Sequence, residues 1–176
     1  MKKEIIKHII YFFPLMIFFT AVSSFAAMVG MTTDELTKSS DTIITGRVED
    51  VTSRWSSDGK KIITSVSVIP DKVIRGNAVG QKVVLEYDGG EVGDIGMKVS
   101  DTPAFKKGEN VLLFLKEGKS RVDGAVHNVV GKAQGAYKVD TKGIAKKSGF
   151  SAMGRQGVID NDIPVDVLIE KIKGVR

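Results

Sequence analysis

The chain has 176 residues, 26 Lys and Arg against 21 Asp and Glu, two histidines and no cysteine. Three of those lysines (Lys2, Lys3, Lys7) and one glutamate (Glu4) lie before residue 27; the remainder holds 23 basic and 20 acidic residues, a net charge of +3. So mild a balance gives no basis for nucleic-acid binding, which needs basic residues clustered on one face, and the missing cysteines exclude disulfides and thiolate metal sites.

The first element is "MKKEIIKHIIYFFPLMIFFTAVSSFAAM", basic, then apolar, then small, with Ser24-Phe25-Ala26 ahead of the break. That order predicts a secretory signal peptide over 1–26, cleaved after Ala26, and export to the periplasm or the medium. The alternative is a retained anchor. Its apolar run, about Ile9 to Val22, is about fifteen residues against the roughly 20 that span a bilayer, and Pro14 interrupts it. No stable membrane insertion is expected after cleavage. No cysteine follows the apolar run, so a lipoprotein anchor there is excluded.

Residues 27–176 read as one domain, with no linker and no repeat. About 150 residues suffice to fold without cross-links, since a chain that long buries roughly 70% of its unfolded surface. Thr32-Thr33-Asp34-Glu35 matches a capping box and predicts a short helix. "DTIITGRVEDV" predicts a strand with Ile44, Gly46 and Val48 on one face. "KIITSVSVI" alternates Ile62, Thr64, Val66, Val68 with Ile63, Ser65, Ser67, Ile69 and is stronger. Asp58-Gly59 between them signals a hairpin.

"QKVVLEY" is a further strand, followed by "DGGEVGDIGMKVSD" with glycines at 89, 90, 93 and 96, and by a loop holding Pro103 and Gly108. "NVLLFLK" is apolar on both faces and predicts a central or barrel-closing strand. "RVDGAVHNVVGKAQGAYKV" holds one or two strands broken near Gly131 and Gly135. Beyond Thr141 the pattern fades into an irregular excursion. A final helix follows, with Pro164 in its first turn, a stripe of Val165, Leu168, Ile169 and Ile172, and Gly174 as its stop. That stripe is expected to cover its own domain.

The expected fold is mainly β: a small OB-like barrel of five or six strands over about residues 41–139, with a short helix before it and an extension and helix over 140–176. A two-sheet sandwich is the competing layout.

Chemistry is sparse. His8 leaves with the signal peptide, and His127 in "GAVHNVV" has no cysteine and no second imidazole beside it, so neither a metal nor a catalytic role has support. No G-x-S-x-G elbow occurs. The glycines are spaced G-G-x-x-G-x-x-G; Gly96 precedes Met97 and Lys98, which fits neither a P-loop nor a dinucleotide fingerprint. Asp88, Glu91, Asp94 and Asp101 offer oxygen ligands without calcium-loop spacing and read as solvated loop acids. No cofactor and no metal are expected. Gly89, Gly90, Gly93 and Gly96 are instead read as structural, where the backbone turns or passes close to a neighbour. Trp55, the sole tryptophan, is either a ligand anchor or a cap on one barrel end.

Three stretches, "IITGRVEDVTSRWSSDGKKIITSVSV", "GGEVGDIGMKVSDTPAFKKGENVLLFL" and "VVGKAQGAYKV", resemble an uncharacterised family of exported bacterial domains. That family looks like a V-x-G-x-V strand, a hairpin, G-G-x-x-G-x-x-G, P-x-F-x-x-G-E-x-V-L-L-F-L and a closing G-x-A-Q-G-x-Y. The likeness covers about residues 41–139 and carries no assigned activity. The strand order also resembles the OB-type barrel of netrin-like and metalloproteinase-inhibitor domains. In those inhibitors an amino-terminal cysteine chelates the protease zinc and disulfides brace the barrel; without cysteine, neither transfers.

The resulting expectation is an exported, non-enzymatic module that binds a protein or envelope component through Trp55, Glu91, Asp94 and Phe105. The rival is an envelope hydrolase, or an accessory subunit of a secreted enzyme such as a protease, using Glu91, Asp94 or His127. A binder of single-stranded nucleic acid is disfavoured by export and modest charge.

Overall fold

The computed structural model describes residues 28–77, 82–119, 125–147, 149, 152–153 and 159–175; the expected signal peptide lies outside them. In chain order the elements are β1 (Met28–Val29), α1 (Thr33–Lys38), β2 (Thr42–Trp55), β3 (Ile62–Arg75), β4 (Val83–Asp88), β5 (Gly90–Val92), β6 (Ile95–Met97) and β7 (Asn110–Lys119). There follow β8 (Ala125–Val129), a 3₁₀ turn (Lys132–Gly135), β9 (Ala136–Val139), β10 (Ile144–Lys147), β11 (Ala152–Met153), β12 (Ile163–Pro164) and α2 (Val165–Gly174).

Five strands close a ring. β2 pairs antiparallel with β3 and β7, β3 with β4, and β7 with β8; β8 lies parallel to β4 through Leu85 and His127. That closure makes the fold an OB-like barrel and not a sandwich. The β-branched alternation of 62–69 does what it predicts. Val66 and Val68 point into the barrel beside Ile44, Val48, Leu85, Val111, Leu113 and Leu115, all buried.

β7 explains its own composition. Its second edge is divided: Leu115–Lys119 pairs with β8 and closes the ring, while Asn110–Leu113 pairs with β9 and branches outward. Because side chains alternate along a strand, Val111, Leu113 and Leu115 fill the barrel while Leu112 and Phe114 face a second, outer core. That outer core adds Ile43, Leu36 of α1, Tyr137 of β9, Ala145 of β10 and Leu168, Ile169 and Ile172 of α2. Burying a side chain of this size stabilises by about 1.5–3 kcal/mol, so the outer core is an integral part of the fold.

The cap of the first helix agrees with the sequence, and the ends of the last helix fall within a residue of their expected places. The Glu35 amide donates to Thr32 Oγ1 at 3.1 Å and the Thr32 amide to the Glu35 carboxylate at 2.8 Å, a complete capping box. Pro164 sits one residue ahead of the first turn of α2, and Gly174 is its last helical residue.

The five strands of the ring match the expected barrel, and its sheet continues outward through β9, β10 and β12. One expectation is corrected. Residues 144–147, expected to be irregular, form β10: Asp140 accepts amide hydrogen bonds from Lys142 and Ile144 at 2.9 Å each, a tight turn that folds the chain back on β9. Its short Ile-Ala-Lys-Lys run carries too little alternation to announce a strand.

Candidate functional site

By strand direction, β2 ends, β3 begins, β4 ends and β7 begins at one end of the barrel. The Trp55 turn, the glycine stretch and the loop 98–109 therefore gather there. Leaving β4, the chain crosses the β2–β3 ribbon. The Gly89 amide donates to the Ile62 carbonyl at 2.8 Å, and Thr64 Oγ1 donates to the Gly89 carbonyl at 2.5 Å. Gly90 then passes over the paired hydroxyls of Ser53 and Thr64, which are 2.8 Å apart. A Cβ on Gly90 would lie 2.3 Å from both, and its φ of 132° lies in the region open to glycine.

β5 and β6 form a hairpin with Val92 opposite Ile95 around a two-residue turn, for which Gly93 supplies a φ of 59°. Gly96 is different. Its φ is not positive, and a Cβ there would meet only Glu91 Cγ at an ordinary 3.6 Å. Three of the four glycines thus have a conformational reason and the fourth has none.

Between this hairpin and the following loop lies a cleft of ≈ 590 Å³. It is lined by Tyr87, by Gly89 to Glu91 and Gly96 to Val99 of the hairpin segment, and by residues 100–104 with Gly149. The loop wall is pinned: the Ala133 amide donates to the Asp101 carbonyl at 2.9 Å, and Thr102 Oγ1 to the Val99 carbonyl at 2.8 Å. Burial pushes the Tyr87 phenol above its ordinary value, so it stays protonated.

The sequence-derived candidates separate here. Glu91 and Asp94 are exposed on the hairpin, and Glu91 lines the cleft. Trp55 is exposed at the end of β2, opposite Ile62, two residues from the Ser53 that Gly90 crosses; it is not part of the lining. Phe105 is only 7% exposed. Its ring lies 6.1 Å from that of Tyr87 in the barrel core, so it anchors the loop from beneath and offers no surface. An apolar ring beside an open barrel end gains more from burial than from exposure.

The acids do not converge. Asp88 reaches Lys61 at 3.5 Å, and among the described residues no three His, Asp or Glu side chains group to hold a metal ion. His127 lies on β8 between Leu85 and Glu117, half-buried, and its Nδ1 has no hydrogen-bond partner among the described residues. Among those residues no helix is long and apolar enough to cross a membrane.

Sequence reasoning missed a second polar constellation, beside the outer core. Gln134, 1% exposed, accepts from the Met31 amide at 2.6 Å and donates to the Val29 carbonyl at 3.1 Å. It fastens the amino-terminal segment across more than a hundred residues of chain. Asp160 joins three elements: its carboxylate accepts from Thr33 at 2.6 Å and pairs with Lys171, and its carbonyl accepts from the Tyr137 hydroxyl at 3.0 Å. Burial raises the Asp160 carboxyl, but the hydrogen bonds from Lys171 and Thr33 and the charges of Lys171 and Lys147 outweigh it and hold the group low. Lys147 Nζ sits 4.7 Å over the Tyr137 ring, and burial lowers its pKa to about 8. The signal was present in "VVGKAQGAY", a glutamine between two glycines in an apolar run.

No protein-family model matches the chain, and no curated protein matches it.

Proposed function

We propose that the chain is an exported, non-enzymatic binding domain that recognises a protein or cell-envelope component at the glycine-hairpin end of its barrel. The observation that carries this reading is the cleft of ≈ 590 Å³, lined by Gly89, Gly90 and Gly96 together with Tyr87, Met97, Val99 and Pro103 and edged by Glu91, with exposed Trp55 on the same barrel end. A concave, mostly apolar lining with a few polar and backbone groups serves recognition. Export rests on the basic, apolar and small order of residues 1–26. The resemblance of residues 41–139 to exported bacterial domains supports the same compartment.

The test is retention of an envelope component by the immobilised chain, compared with Trp55→Ala and Glu91→Ala. The expected result is that both variants melt at the wild-type temperature and lose the component. Retention unchanged in both, or turnover of an envelope substrate by the purified chain, overturns the reading.

A further inference from the structure

The geometry points to strand addition: we infer that the free edge of β6 takes up an extended, cationic polypeptide segment, with Gly96 supplying the backbone hydrogen bonds. This rests on the placement of the ligand surface proposed above and names the ligand class.

The hairpin register decides which backbone groups are available. A two-residue turn makes Val92 and Ile95 a hydrogen-bonded pair, so Glu91 and Gly96 are a non-hydrogen-bonded pair, and the Gly96 N–H and C=O aim away from β5. β6 has no strand on that side among the described residues. Gly96 and Met97 of β6 line the cleft. An added strand lies about 4.8 Å from its neighbour and bonds through the main chain.

Gly96 fits this use and no other visible one. Folding does not require a glycine there, whereas an approaching backbone benefits from the missing side chain. Charge selects the partner. Glu91 and Asp101 line the cleft against Lys98 alone, so its lining is net acidic on a chain that is basic overall. Such local complementarity favours a cationic segment and suppresses acidic ones.

The experiment titrates the exported, purified chain with three labelled ten-residue peptides: alternating Lys-Val, alternating Glu-Val, and Lys-Val N-methylated at every second residue. Strand addition predicts saturable one-to-one binding of the first, with the other two weaker by roughly tenfold or more. Gly96→Pro removes the outward N–H at an edge position that tolerates proline and is expected to lose a similar factor. The methylated peptide poses the same question without altering the protein.

Equal binding of the acidic or methylated peptide, or no binding of the first, overturns the inference. So does self-association that Gly96→Pro abolishes, which would assign the edge to a second copy. The two proposals fail separately. If an envelope component is retained in a Glu91-dependent way but ignores Gly96→Pro and the peptides, strand addition falls and the binding surface stands.

Discussion

The barrel interior and the outer core share β7, yet they are assembled from different kinds of contact. Inside, Val66, Val68, Leu85 and Leu113 come from strands that mostly follow one another through hairpins. Outside, Phe114 and Leu112 meet Leu36, Tyr137 and Leu168, drawn from both ends of the chain, and polar fasteners at Gln134 and Asp160 align them. The contrast teaches that the interior is a product of local alternation, while the outer core depends on chain ends finding a finished sheet.

The sharpest way to break that contrast is to cut one residue on each face of β7. Phe114→Ala is expected to cost about 3–5 kcal/mol and Leu113→Ala about 2–5 kcal/mol in urea unfolding. Amide exchange separates them. Phe114→Ala should free α2 ahead of β2 and β3, and simultaneous release would show one indivisible core. Gly90→Ala tests the crossing over Ser53 and Thr64: a Cβ 2.3 Å from two hydroxyls, at positive φ, is expected to cost about 1–3 kcal/mol. Gln134→Ala strands the Met31 amide and the Val29 carbonyl and should cost a similar 1–3 kcal/mol. Gln134→Glu keeps the acceptor but sets a buried carboxylate against the Val29 carbonyl and should recover none of it.

Lys147 gives a smaller, pH-dependent test. Its folded pKa is lowered to about 8 from 10.5, so between those values the unfolded chain binds the extra proton and stability rises with pH. The slope is on the order of 1 kcal/mol per pH unit. Burial raises Tyr137 above 10.0, so past that pH the folded state holds the extra proton and stability falls. Lys147→Met should remove the rise and leave the fall; a pH profile identical to wild type would sink the assignment. The smallest effect belongs to Gly96→Ala, within about 0.5 kcal/mol in thermal melting, because nothing crowds its Cβ.

Much of the barrel was readable. Residues 62–69 alternate, 111–115 are apolar on both faces, Thr32 and Glu35 form a capping box, and Leu168, Ile169 and Ile172 stripe a helix. The candidate site was readable only as a place. Its glycines announced a close backbone crossing, but Phe105 turned inward and Trp55 fell outside the cleft lining.

The sequence by itself determined the strand periods, the hairpin at Asp58-Gly59, the helix caps and the absence of disulfides, because each is a short-range property of neighbouring residues. Tertiary structure alone decided the closure of the ring at Leu85 and His127, the two-way division of the β7 edge and the reach of Gln134 to Met31. It also sorted the four glycines, three bound to backbone geometry and Gly96 free of it. Those outcomes hang on residues tens of positions apart. No local pattern encodes which of two compatible edges a strand will choose, since the pairing energy exists only once the partners are packed.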